Sequence, residues 1–156
     1  DNVLVTLQFT HDHSRIQNTI LLNELKSFLL SFKIKVKFYL KHHPRFNNEV
    51  DLSEILELPN THFAPDDINE CFKLCSLHVT TYSTSTFEAA LLGIPTILIH
   101  SENALNFFKT ELHFSGFLYS EGINKVQLQS EFQHENISFN KNLKKYLRRI
   151  CEFFIS

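Results

Sequence analysis

The sequence predicts an α/β domain: a Rossmann-like parallel sheet with helices on both faces. Two observations carry that prediction. Short apolar runs rich in β-branched residues alternate with segments whose apolar residues recur at helical spacing. The helical segments are also long enough for right-handed crossovers between parallel strands, which bury both faces of a sheet. At 156 residues and 43% apolar content, the chain can bury one sizeable core and is too short for two.

Taken in order, residues 3–9 read as a strand, and residues 16–32 as a helix carrying Ile20, Leu21, Leu25, Phe28 and Leu29 on one side. A second strand at 36–40 is stopped by Pro44, and residues 51–58 form a short amphipathic turn or helix ended by Pro59. Asp66 and Asp67 open a helix running to residue 75, their acids at its positive end. Residues 77–81 are the next strand and 83–92 the next helix. Gly93 is placed to cap that helix and Pro95 to prevent its continuation, before a strand at 96–99. Beyond residue 100 the pattern weakens to a short helix at 103–110, a small strand at 117–119 and a terminal helix at 140–154.

Composition narrows the function. A formal net charge of -2 argues against a protein that neutralises long stretches of nucleic-acid phosphate, while a small anionic ligand needs only a local donor cluster. Cys71, Cys75 and Cys151 form no CxxC pair and no zinc spacing, which fits a reducing cytoplasm. No apolar run reaches the length of a membrane span. The chain has no methionine, even at position 1, and so is expected to be a piece of a longer protein.

In open α/β sheets, ligands sit beyond the carboxyl ends of the strands, so the residues following each strand are the candidates. Gln8, Thr10, His11, Asp12 and His13 follow the first, and Lys41, His42, His43 and Arg45 the second. Tyr82, Ser83, Thr84, Ser85 and Thr86 follow the strand at 77–81, and His100, Ser101 and Glu102 the strand at 96–99. The hydroxyl segment leads straight into a helix, where unpaired N–H groups and short hydroxyl side chains suit a phosphate. It also reads as a plain cap, since Ser85 with Glu88 three residues later spells a capping box, although four consecutive hydroxyls exceed what a cap needs. Pro44 restricts His43 to an extended conformation, from which its imidazole can donate to a phosphate oxygen.

Other chemistries lack support. GxGxxG, GxxxxGK[ST] and GxSxG are all absent, and three glycines leave little room for a dinucleotide turn or a P-loop. His11, Asp12 and His13 with His42 and His43 match no metal-ligand spacing. The basic residues Lys141, Lys144, Lys145, Arg148 and Arg149 fall at helical spacing and read as a solvated face, with peripheral contact to an anionic membrane surface as the alternative.

Two blocks carry a family resemblance. Phe38-Tyr39-Leu40-Lys41-His42-His43-Pro44-Arg45 resembles the Lys-x-His-Pro motif of bacterial sialyltransferases and related surface-polysaccharide glycosyltransferases. The segment 78–96, with Tyr82, Ser83, Thr84, Ser85, Glu88, Gly93 and Pro95, is similar to a block shared by sialyl-, Kdo- and polyol-phosphate transferases of GT-B architecture: strand, Tyr-Ser-Ser, acidic helix, Gly-x-Pro. In element order the likeness runs over residues 3–119.

The resemblance implies the C-terminal, nucleotide-binding domain of a GT-B capsule or lipopolysaccharide transferase, working in the cytoplasm or at the inner face of the membrane. His43, Ser83, Thr84 and Ser85 would contact the donor phosphate, with Thr86 in the same hydroxyl run. Lys41 would support the charge, Gln8 and Thr10 would sit beside it, and Glu88 would bind a ribose hydroxyl or cap its helix. A CMP-linked acid sugar is the favoured donor, with CDP- or UDP-linked sugars next. The catalytic base is expected from a missing N-terminal acceptor domain, and no metal or cofactor is required. A nucleotide-sugar 2-epimerase and a non-catalytic nucleotide-binding module are the alternatives on the same fold.

Overall fold

A computed structural model describes residues 2–32, 36–46, 49–99, 105–114 and 118–120. The expected helix at 140–154 with its basic face, Cys151, and the segment 100–102 that includes Glu102 lie outside the described residues.

Six strands, β1 (Asn2–Thr6), β2 (Lys37–Lys41), β3 (Thr61–Phe63), β4 (Leu77–Thr80), β5 (Thr96–Leu98) and β6 (Leu118–Ser120), form one sheet in the order β3-β2-β1-β4-β5-β6. Every neighbouring pair is parallel. The chain builds outward from β1 in one direction through β3, then returns to β1's other side with β4, so the order reverses between β1 and β4. Such a reversal splays the two following loops apart and opens a crevice at the carboxyl ends.

Strand alternation assigns the two faces. Val3 and Val5 of β1, Phe38 and Leu40 of β2 and Val79 of β4 are buried with Leu25, Phe28 and Leu29 of α1 (Arg15–Leu30) and Ile55 of α2 (Ser53–Leu56). On the opposite face Leu4 joins Cys71 and Phe72 of α3 (Ile68–Leu74) and Ala89 of α4 (Ser85–Leu91). Each fully buried leucine or valine contributes about 1.5–3 kcal/mol of transfer free energy. A one-residue register slip would turn these residues to the wrong helix layer. A π-helical turn, Phe107–Glu111, closes the β5–β6 end through Phe108 against Leu98 and Leu118.

Local sequence sets the helix ends. Ser14 caps α1 in a reciprocal box: its hydroxyl accepts the Gln17 N–H at 3.2 Å, and the Gln17 side chain accepts the Ser14 N–H at 2.7 Å. Asp67 caps α3 by accepting the Asn69 N–H at 2.8 Å. The anticipated stop at Gly93 is present. Gly93 adopts φ 71°, its N–H reaches the Ala90 carbonyl, and the Ile94 N–H reaches that of Ala89.

Several boundaries differ from expectation. β1 ends at Thr6 although apolar residues continue to Phe9, because Leu7 makes one last bond to the Lys41 carbonyl at 2.9 Å before the chain turns. Leu7 and Phe9 stay buried in the core cluster that includes Leu25, Phe28 and Leu29 of α1, although they lie past the end of the strand. β3 is a three-residue strand between Pro59 and Pro65, too short to show alternation. The helix expected from Asp66 begins at Ile68, Asp67 being its cap. Among the described residues no helix is long and apolar enough to cross a membrane.

Candidate functional site

A cleft of about 680 Å³ opens at the carboxyl ends of the strands, at the β1/β4 reversal. Thr6, Leu7 and Gln8 line it from the end of β1, and Lys41, His42, His43 and Pro44 from the end of β2. Asp66, Asp67 and Ile68 come from the turn into α3, and Ser83, Thr84, Ser85 and Glu88 from the turn into α4.

Beneath the cleft runs a chain of buried polar groups on the α3/α4 face. His78, fully buried in β4, meets the Thr96 hydroxyl of β5 with Nδ1 at 2.9 Å and the Thr6 hydroxyl of β1 with Nε2 at 2.8 Å. The Ser85 hydroxyl lies 3.3 Å from both Thr6 Oγ1 and His78 Nε2, and 2.7 Å from Ser83 Oγ. Burial pushes the His78 imidazole down to about 3, so the ring is neutral at any cellular pH.

The turn into α4 corrects the capping expectation. Thr84 stands at the cap position and makes no side-chain cap bond, while Ser85 is already helical and spends its hydroxyl on Ser83, Thr6 and His78. Ser83 does the capping, accepting the Ser85 N–H with its hydroxyl at 3.2 Å and the Thr86 N–H with its carbonyl at 3.2 Å. The Phe87 N–H bonds the Thr84 carbonyl at 3.0 Å. The N–H groups of Ser85, Thr86 and Phe87 are therefore taken within the turn, contrary to the expectation of open donors there, and these three do not serve an anion.

The opposite side of the cleft supplies side-chain donors. Lys41 Nζ donates one hydrogen to the Asp66 carbonyl at 2.6 Å, which anchors the ammonium at the cleft with two further donors. His43 Nδ1 accepts the Arg45 N–H at 3.1 Å, so in the neutral ring the proton sits on Nε2. Burial, then the neighbouring Arg45 guanidinium, lowers the His43 pKa from the usual histidine value and favours that neutral form, partly opposed by Asp12. Asp12 and Arg45 pair at 2.6 Å, tying the loop after β1 to the loop after β2. His42 has a different role in the wall. Its ring stacks on Phe46 at 4.1 Å and lies 5.0 Å from Phe63, and burial and Lys41 hold its pKa low.

Seven of the nine sequence-derived candidates, Gln8, Lys41, His43, Ser83, Thr84, Ser85 and Glu88, thus share one cleft. Thr10 and Thr86 do not line it. Thr10 is buried beside Asp12, and Thr86 is fully buried with its hydroxyl donating to the Ser83 carbonyl. Sequence reasoning passed over Asp66 and Asp67, whose place at the cleft follows from the unforeseen β3, and His78, which looked like an ordinary strand residue. Chemically, one ammonium, one imidazole N–H and hydroxyls can hold an anion, while the Asp66, Asp67 and Glu88 carboxylates can accept from hydroxyl groups of the same ligand. A second cleft, about 520 Å³ and lined by Arg15, Asn18, Thr19, Leu22, Glu49, Val50 and Asp51, lies at α1, away from the strand-order reversal. Among the described residues no three His, Cys, Asp or Glu side chains are placed to hold a metal ion.

Against known structures, the chain is similar to the wall teichoic acid polymerase TagF, solved as a histidine-to-asparagine variant soaked with CDPG. The TM-score is 0.50 at 17% identity, over 99% of this chain and 39% of TagF. The likeness is one of fold, a Rossmann-like parallel α/β sheet with helices on both faces. The chain spans about two fifths of TagF's length. No protein-family model and no curated protein sequence matches it.

Proposed function

We propose that this chain is the donor-binding domain of a glycosyltransferase that uses a nucleotide-activated sugar to build a surface polysaccharide. The observation that supports it most is the convergence of Lys41, His43 and Ser83 at the β1/β4 reversal, with carboxylates on the same cleft. In this reading Lys41, the His43 Nε2–H and the Ser83 hydroxyl bind the donor phosphate, and Asp66, Asp67 or Glu88 accept from ribose or sugar hydroxyls. Their charge and donors stabilise the phosphate as its bond to the anomeric carbon breaks. The acceptor hydroxyl forms the new bond and gives its proton to a base on the N-terminal domain of the full-length protein. A cytidine nucleotide is the favoured donor class. The CMP-linked acid sugar suggested by the sialyltransferase-like motif and the CDP-glycerol soaked into TagF share that moiety. Catalysis would take place in the cytoplasm, with the acceptor at the inner face of the membrane.

The 2-epimerase alternative gains the three cleft carboxylates but needs an arginine near the sugar, and Arg45 pairs with Asp12 outside the lining. Titration calorimetry with CMP, CDP, UDP and GDP, with and without EDTA, tests the proposal. One cytidine nucleotide should bind without metal, and His43→Ala should weaken it about tenfold while the fold is kept. Equal, negligible heats for all four nucleotides with both this chain and the full-length protein would reject it.

A further inference from the structure

We propose that His78 is a positioning residue that fixes the direction of a hydroxyl chain, so that the Ser83 hydroxyl presents its proton to the cleft and the site favours phosphate over an uncharged ligand. This rests on the cleft being a phosphate site. The direction follows from counting donors and acceptors. Thr96 is 1% exposed, and among the described residues its hydroxyl meets only His78 Nδ1. If Nδ1 carried the imidazole proton, the Thr96 hydroxyl proton would be buried without an acceptor, so Nδ1 accepts and the proton sits on Nε2. Nε2–H then donates to Thr6, 2.8 Å away. The neighbour left to accept from Thr6 is Ser85, 3.3 Å away, and the neighbour left to accept from Ser85 is Ser83, 2.7 Å away. Ser83 Oγ already takes the Ser85 N–H at 3.2 Å, so its two lone pairs are filled from within the turn. Its own proton has the cleft as its outlet.

The reverse direction would turn a lone pair toward the ligand and repel a phosphate oxygen. His78 and Thr96 do not line the cleft themselves, yet through its contacts with the lining residues Thr6 and Ser85 the ring converts a buried threonine into the polarity of the binding surface. Neither residue belongs to the motif blocks' expected contacts.

Two measurements decide it. A long-range nitrogen–proton correlation spectrum of the wild-type chain, with the His78 signals identified by their loss in His78→Gln, should show Nε2 protonated and Nδ1 bare. Affinities for CMP and for cytidine should differ in the wild type, and His78→Leu should reduce that ratio about tenfold, with cytidine binding unchanged. His78→Gln, whose amide can donate at one atom and accept at the other, should restore most of the ratio. A protonated Nδ1, or a folded His78→Leu protein with the wild-type ratio, overturns the proposal. A wild type that binds CMP no better than cytidine refutes the phosphate reading itself, and the spectrum still reports the chain's direction independently.

Discussion

Between β1 and β4 the cleft floor consists of buried polar groups that bond one another, whereas the β2 and β3 side offers charged groups lying partly in water. Thr6, His78 and Ser85 on the floor are each at most 8% exposed. Asp66 and Asp67 on the rim are exposed, and Lys41 and His43 half-buried. The same cleft thus holds two kinds of electrostatics. Floor groups are costly to leave unpaired and insensitive to salt; rim groups contribute little to stability, and solvent screens their pull on a ligand.

The largest expected difference is in pH dependence. An unfolded histidine titrates near 6.5, and His78 in the fold near 3. Between those values the unfolded chain binds a proton that the native chain does not, so the stability is fully present above about 6.5 and is lost as pH falls toward 3. From pH 7 to pH 5 this amounts to about 2 kcal/mol. Urea unfolding at the two pH values should show it, with the drop much reduced in His78→Gln; equal drops would remove His78 from the floor's account. His42 and His43 shift in the same direction and add to the remaining slope.

Next in size is Thr6→Val, which keeps the shape and removes the link between His78 and Ser85. It should cost about 1–3 kcal/mol of stability in urea unfolding. On the rim, Lys41→Ala should change stability by less than about 0.5 kcal/mol. It should nevertheless weaken CMP binding about tenfold at low salt, and by less at 0.5 M salt because of screening. A salt-independent loss would mean that Lys41 acts on structure and not on charge. The smallest effect belongs to Arg45→Ala. Its pair with Asp12 joins side chains 63% and 56% exposed, so stability should hold within about 0.5 kcal/mol. His43 should titrate higher once the guanidinium is gone, which NMR titration can follow.

The rim was easier to read in the sequence than the floor. Lys41 and His43 stand out because they directly follow an apolar strand, and the fold class follows from strand–helix alternation that six parallel strands satisfy. His78 gave no such signal: a histidine inside a strand shows its partners only when Thr6 and Thr96, each far along the chain, are brought beside it by the sheet. β3 escaped because three residues between prolines carry no period, and with it went the placement of Asp66 and Asp67. The capping box at Ser85 and Glu88 had the right spacing, but Ser83 captured the Ser85 N–H first, moving the helix start by one residue.

We propose that a nucleotide phosphate occupies the cleft at the β1/β4 reversal. Amide shift mapping on titration with CDP tests it most directly. Perturbations are expected at residues 6–8, 41–43, 66–68 and 83–88, weakened by Lys41→Ala. Shifts concentrated instead at Arg15, Asn18, Thr19 and Asp51, in the cleft at α1, would contradict it.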